Sequence, residues 1–251
     1  MLILLQQFFS ENPKVAVAFS GGVDSSYLLY AAKNAGCDVR AYFVKSQFQP
    51  RFELADAELV AERLGVPLSV ETLDVLGVEE VAENPPGRCY LCKTAILGKL
   101  LESARADGYN VLCDGTNADD DESQRPGMRA LRELGVLSPL RECGLGKDDI
   151  RRLSMQVGLP THDKPSYSCL ATRIPAGTTI TERILEKIER AEDALFDMGF
   201  TDFRVRFAPP GDARIELPDR QIETAAARRA EILEALQPIF DNVTMNLTGR
   251  S

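Results

Sequence analysis

Six residues of one short stretch, Ser20, Gly21, Gly22, Asp24, Ser25 and Ser26 in "VAVAFSGGVDSSYLLYAA", set glycines and hydroxyls between an apolar run and a helical pattern. Glycine lets the backbone come close to a ligand and a serine hydroxyl adds a donor. A helix start offers unpaired N–H groups and the positive end of the helix dipole. A turn of this kind suits an anion, phosphate above all. It is not G-x-x-x-x-G-K-[ST], and no G-x-G-x-x-G follows the strand, so the two commonest nucleotide loops are excluded. A second polar cluster, "LCDGTNADDDES", places Asp114, Gly115 and Asn117 at the end of another apolar run, with Asp119 and Asp120 just beyond. Magnesium takes a carboxylate or two plus phosphate oxygens, which makes Asp119 the candidate Mg²⁺ ligand. Asp121 and Glu122 read as solvated loop.

Sulfur chemistry is the second theme. "RCYLCK" supplies Cys89 and Cys92 three residues apart, and "PSYSCLATRIP" supplies Cys169. A lone C-x-x-C fits a redox pair, half a zinc site or iron–sulfur ligands. There is no second C-x-x-C, and the single histidine, His162, is poorly spaced for a finger; it reads as structural. Three thiolates would hold three irons of a [4Fe–4S] cube and leave one iron open to an exogenous sulfide. Cys37, Cys113 and Cys143 read as small apolar residues.

Strands and helices must position these groups. "KVAVAFSGG", "DVRAYFVKS", "LSVETLDV" and "YNVLCDGTN" read as buried strands. Helical patterns lie between them: 24–35, "ELADAELVAERLG" and "TAILGKLLESARADG". The alternation predicts an α/β fold with a doubly wound parallel sheet, on which nucleotides bind beyond the carboxyl ends of the strands. Ser20, Ser46 and Asp114 fall there, and the C-x-x-C falls just before a helix. After about residue 158 the pattern changes to a Pro-punctuated connector, then a helix (181–198), two short strands, a helix (219–235) and a last strand. Two domains are expected, 1–158 for the nucleotide and 159–251 as a smaller α+β domain.

The chain has 251 residues, 44% hydrophobic and 27% charged, with 38 acidic against 29 basic residues and a net charge of −9. That balance argues against a long nucleic-acid ligand, whose affinity comes largely from phosphate neutralisation. No run of eighteen apolar residues could span a membrane. The opening "MLILLQQFF" reads as a first helix and not as a signal peptide. Six cysteines with no staple pattern fit a cytoplasmic protein.

S-G-G-V-D-S-S resembles the PP-loop of the ATP pyrophosphatases, which cradles the pyrophosphate released when ATP adenylates a substrate. With "DGTNADD", "RPGMRA", "SCLATRIPAGTTIT" and "FRVRFAPPGDARIELP", nearly the whole chain is similar to the LarE family of ATP-dependent sulfur transferases. The resemblance implies a small nucleotide substrate, pyridinium-3,5-biscarboxylic acid mononucleotide. Its carboxylates become thiocarboxylates that later hold nickel in the cofactor of lactate racemase. It implies ATP, Mg²⁺ and, in the three-cysteine type, a [4Fe–4S] cluster on Cys89, Cys92 and Cys169. It also implies a substrate-phosphate clamp of Arg173, Arg204 and Arg206, acids Glu192 and Glu223 near the same site or a subunit contact, and a homohexamer. Other members sacrifice the sulfur of one cysteine, which aligns with Ser168 here. A tRNA thiolase, an amidating ligase and a non-catalytic nucleotide sensor are the rival readings.

Overall fold

The computed structural model describes residues 2–121 and 127–250; Glu122 and the first two residues of "RPGMRA" lie outside them. The chain divides into two compact units. One holds the chain through Val75 together with Gly87–Lys164, and the other holds Leu76–Pro86 with the chain from Pro165 onward.

The first unit runs α1 (Leu2–Glu11), β1 (Lys14–Ala18), α2 (Val23–Asn34), β2 (Asp38–Lys45), α3 (Arg51–Leu64) and β3 (Leu68–Thr72). A short α4 (Glu79–Ala82) belongs to the second unit. The first resumes with α5 (Arg88–Ala106), β4 (Leu112–Asp114), α6 (Gly127–Leu134), α7 (Pro139–Glu142) and α8 (Lys147–Gln156). Its four strands are parallel in the order β3-β2-β1-β4, the doubly wound α/β sheet expected. Because β1 is central, its Val15, Ala16 and Val17 are wholly buried, which is why it reads as an unbroken apolar run. Helices cover both faces. Leu28, Leu29, Phe43 and Ile150 pack in one core, and Tyr42, Leu97, Leu112 and Leu131 in the other. Chain direction reverses its winding between β1 and β4, so a topological switch lies between Ala18 and Asp114.

The second unit contains a 3₁₀ turn (Leu170–Arg173), α9 (Glu182–Asp197), β5 (Arg204–Ala208), β6 (Asp212–Glu216), α10 (Asp219–Ala227), α11 (Arg229–Leu236) and β7 (Val243–Met245). β5 and β6 form an antiparallel pair, with β7 parallel to β6. Thr181 starts α9 by accepting a hydrogen bond from Ile184 N. Asn84, in the left-handed region at φ 56°, ties α4 to the later chain through its amide on Pro175 O at 2.8 Å. Two expectations change. The helix expected over 219–235 is broken at Arg228, whose side chain turns back to Met198 O at 2.6 Å. The C-x-x-C does not precede its helix; it forms the first turn of α5, because Gly87 already serves as the N-cap. Among the described residues no helix is long and apolar enough to cross a membrane.

Candidate active site

The glycine–serine loop is stitched by its own hydroxyls. Ser25 Oγ accepts from Ser20 N at 3.3 Å and donates to Gly22 O at 3.3 Å, and the Ser20 hydroxyl lies 3.1 Å from it. Gly21 sits at φ +69°, and a Cβ there would lie 3.0 Å from Ala57 N on α3, so only glycine lets the loop pass so close to that helix. Gly22 is the N-cap of α2 with no side-chain capping bond, which leaves the first-turn amides for a ligand. Two buried atoms beside the loop lack a hydrogen-bond partner, Asp24 Oδ1 and Ser26 Oγ. Buried polar groups are normally satisfied, so these are the atoms a phosphate with its cation would engage.

The β4 end meets this loop across the switch. A Cβ on Gly115 would lie 2.8 Å from Ser25 N. Asp114 is buried and accepts from Thr116 Oγ1 at 2.6 Å and Ser138 Oγ at 2.7 Å, with Lys93 Nζ 3.5 Å away. Asn117 folds the next turn: its Oδ1 accepts from Asp119 N at 2.9 Å and its N–H donates to Asp120 Oδ2 at 3.0 Å. Asp119 Oδ2 accepts from Lys147 N at 2.6 Å, a carboxylate at the start of α8 where the helix dipole favours it. Ser46, past β2, is held by Gln49 Oε1 at 2.5 Å. Lys147 Nζ reaches Asp24 Oδ2, and Lys164 Nζ lies 3.2 Å from Gly21 O and 2.6 Å from Asp56 Oδ2.

The six cysteines separate by environment. Cys37, Cys113 and Cys143 are buried, and burial pushes all three thiols up, Cys113 furthest. Cys89 is exposed, while Cys92 and Cys169 are half-buried. Arg88, whose backbone opens α5, is itself buried; it stacks 5.6 Å over Phe48 and donates from Nη2 to Cys89 Sγ at 3.3 Å. Within each unit, among the described residues, no three His, Cys, Asp or Glu side chains gather as metal ligands. Cys89 and Cys92 belong to the first unit and Cys169 to the second.

In the second unit the Cys169 turn is clamped by arginines. Cys169 starts the 3₁₀ turn, and its carbonyl accepts from Thr172 Oγ1 at 2.8 Å. Arg173 Nη1 donates to Ser168 O and Ser168 Oγ, both at 2.8 Å, and Arg206 Nη1 donates to Thr172 O at 2.5 Å. Arg173 is also a fully buried two-pronged partner of Glu192, at 2.9 and 3.1 Å. Burial opposes its charge, but the Glu192 bonds outweigh it and hold Arg173 above its ordinary value. Glu192 further accepts from Val205 N at 2.9 Å and from the Tyr167 hydroxyl. Arg206 pairs with Glu216 at 2.9 Å, and Glu223 lies exposed on α10.

Arg204 differs. It is buried, donates to Phe203 O and Ser166 O, and has no carboxylate partner among the described residues. Burial, with Arg173 and Arg250 adding repulsion, pulls it down to about 10. Its charge is held at a cost to the fold below that pH, so a neutralising anion offsets the cost. A phosphate monoester should therefore raise the melting temperature at pH 7, and the gain should disappear as pH rises through about 10. In Arg204→Met it should be absent at every pH.

Residues 13–130 match the tRNA methyl transferase HUP domain family. The "Uncharacterized protein slr1717" of Synechocystis is 36% identical over 98% of this chain and 92% of its own length. The pyridinium-3,5-bisthiocarboxylic acid mononucleotide synthase of Lactiplantibacillus plantarum is 34% identical over 94% of this chain and 86% of its own. The chain belongs to the LarE family. A tRNA-specific 2-thiouridylase MnmA of Pseudothermotoga lettingae is more distant, 26% identical over 60% of the chain. LarE membership makes the protein an ATP-utilising sulfurtransferase. Its PP-loop and β4 residues lie side by side, a Cβ on Gly115 falling 2.8 Å from Ser25 N. Lys147, Lys164, Arg88 and Tyr167 were not singled out in the sequence, since a lone lysine carries no spacing signal. The guanidinium carbons of Arg173 and Arg204 both lie over the Tyr167 ring, 4.5 and 5.4 Å from its centroid.

Proposed function

We propose that this LarE-family enzyme converts the carboxylates of pyridinium-3,5-biscarboxylic acid mononucleotide to thiocarboxylates. The observation that carries the reading is the full-length likeness to the Lactiplantibacillus plantarum synthase. A carboxylate is a poor electrophile, because its charge repels nucleophiles and its oxygen leaves badly. In the proposed reaction a carboxylate oxygen attacks the α-phosphorus of ATP, the bond to the β-phosphate oxygen breaks, and pyrophosphate departs into the Ser20–Ser26 loop. A sulfur nucleophile then adds to the acyl carbon and AMP leaves. Oriented donors that meet the departing anion lower that barrier without reorganising.

Arg204, a buried cation with no carboxylate partner among the described residues, supports a subsite for the substrate phosphate in the second unit. Arg173 and Arg206 are assigned to the same anion, and their bonds to Ser168 and Thr172 also shape the Cys169 turn. Asp119 remains the expected Mg²⁺ ligand, and the unpartnered Asp24 Oδ1 offers a second hard oxygen. The donor chemistry of Cys89, Cys92 and Cys169, thiols at or near the surface, fits a [4Fe–4S] cluster. Bound there, the cluster would supply an open iron site for sulfide. A cytoplasmic homohexamer completes the proposal, on the family resemblance.

The test incubates anaerobically purified protein with ATP, sulfide and the dicarboxylate, and follows pyrophosphate and the mass change of exchanging oxygen for sulfur. Repeated turnovers are expected. Cys89→Ala, Cys92→Ala and Cys169→Ala should each lose most of the iron and fall to at most one turnover. Iron-free wild type that loses one sulfur per product would replace the cluster by the sacrificial route. The 2-thiouridylase likeness favours tRNA as a second reading. The net charge of −9 opposes it, and tRNA binding at two salt concentrations separates the two.

A further inference from the structure

A nucleoside triphosphate brings several negative charges, yet the turn Ser20–Ser26 contributes none of the opposite sign; its one charged side chain, Asp24, is acidic. Backbone amides and a helix dipole amount to roughly half an elementary charge. Beyond the Mg²⁺ expected at Asp119, the remaining neutralisation falls to cationic side chains delivered by other segments. Among the described residues, two lysines reach the turn, both from the chain after β4. Lys147, the first residue of α8, places Nζ on Asp24 Oδ2 in the opening turn of α2. Lys164 places Nζ 3.2 Å from the carbonyl of Gly21, in the middle of the turn, and 2.6 Å from Asp56 Oδ2.

We infer that Lys147 and Lys164 are the ammonium groups that take the β- and γ-phosphates of ATP and hold the pyrophosphate as it leaves. The inference rests on the adenylating reading of this site and adds two residues to it. Each ammonium is partly exposed, its side chain 30% accessible for Lys147 and 20% for Lys164. Pairs of that kind contribute little to stability, so trading a carboxylate partner for a phosphate oxygen costs little. Lysine is a compact point charge on a flexible stem, able to follow a phosphate from its bound to its departing position. The neighbouring groups fit the exchange. Asp24 keeps a second, unpartnered oxygen for a cation. Asp119 fixes the start of α8 through Lys147 N at 2.6 Å, leaving the Lys147 side chain to move. Both lysines act on phosphate oxygens, so neither is needed for the adenosine or the α-phosphate.

That division sets the experiment. Lys147→Gln, Lys164→Gln and the charge-retaining Lys147→Arg and Lys164→Arg are titrated calorimetrically with a non-hydrolysable ATP analogue, with pyrophosphate and with AMP. Each glutamine variant should bind the analogue and pyrophosphate about tenfold or more weakly, the range for a charge-assisted phosphate contact. AMP affinity should stay within about twofold, and the arginine variants should recover most of the loss. Unchanged binding of the analogue, or an equal loss for AMP, overturns the inference. Wild type that binds ATP but never thiolates the dicarboxylate would instead sink the proposed function and leave this assignment standing.

Discussion

Glu192→Gln should destabilise the second unit by about 3–5 kcal/mol, the cost of leaving one member of a buried ion pair without its partner. Glu192 is 1% exposed and accepts four donors: Arg173 Nε, Arg173 Nη2, Val205 N and the Tyr167 hydroxyl. A glutamine offers one acceptor oxygen and turns an N–H₂ toward the guanidinium. Arg173 would remain charged and buried, with Arg204 also among its neighbours. The denaturant midpoint of the transition that includes α9 and β5 measures the loss. Replacing both partners, Arg173→Met with Glu192→Met, should recover part of it, since an apolar pair of similar volume leaves no orphaned charge although Val205 N and the Tyr167 hydroxyl lose their acceptor. The recovered protein should still be impaired in sulfur transfer, because Ser168 would lose the Arg173 bonds that shape the Cys169 turn. Equal destabilisation by the single and double variants would show that the pair is not the source.

Gly115→Val should lower the rate of pyrophosphate release by about 100-fold, the scale on which a misplacement near 1 Å acts at a reacting centre. The added Cβ would meet Ser25 N at 2.8 Å, Ser25 Cα at 3.1 Å and Asp24 C at 3.3 Å. All three are backbone atoms of the helix turn proposed to receive the phosphate, so relief requires β4 to move off α2. Gly98→Ala is the matched control. Its Cβ meets nothing within 4 Å, and it lies inside α5, where alanine should add about 0.5–1 kcal/mol of stability and leave adenylation alone. Single-turnover pyrophosphate release reads both, with circular dichroism confirming the fold. A Gly115→Val protein that releases pyrophosphate at the wild-type rate would remove the close approach from the catalytic geometry.

What could be read in the chain was whatever depends on local periodicity. β1 announces itself because a central parallel strand is buried on both faces. Gly21 and Gly22 mark the turn because only glycine tolerates the conformation and proximity required there. The break at Arg228 was less visible: "DRQIETAAARRAEILEA" is helix-favouring throughout, and a tertiary bond to Met198 O coincides with the interruption. The start of α5 was misplaced for a related reason, since nothing in "PPGRCYLCK" shows that Gly87 serves as the cap. The arginines were legible as cations, but not their division of labour. Arg204 and Arg206 alternate on one strand, yet among the described residues Arg206 pairs with Glu216 and Arg204 with no carboxylate.

By itself the sequence determined the parallel α/β sheet, a glycine–serine turn suited to phosphate and the family's sulfur chemistry. All of these follow from patterns within one segment or from motifs read whole. The tertiary structure decided which partners each charged group meets. Arg173 is paired inside the second unit, Asp119 starts α8, and Lys147 and Lys164 come to the phosphate turn from more than a hundred residues away. The physical reason is that neutralisation depends on distance through space, which no spacing along the chain encodes.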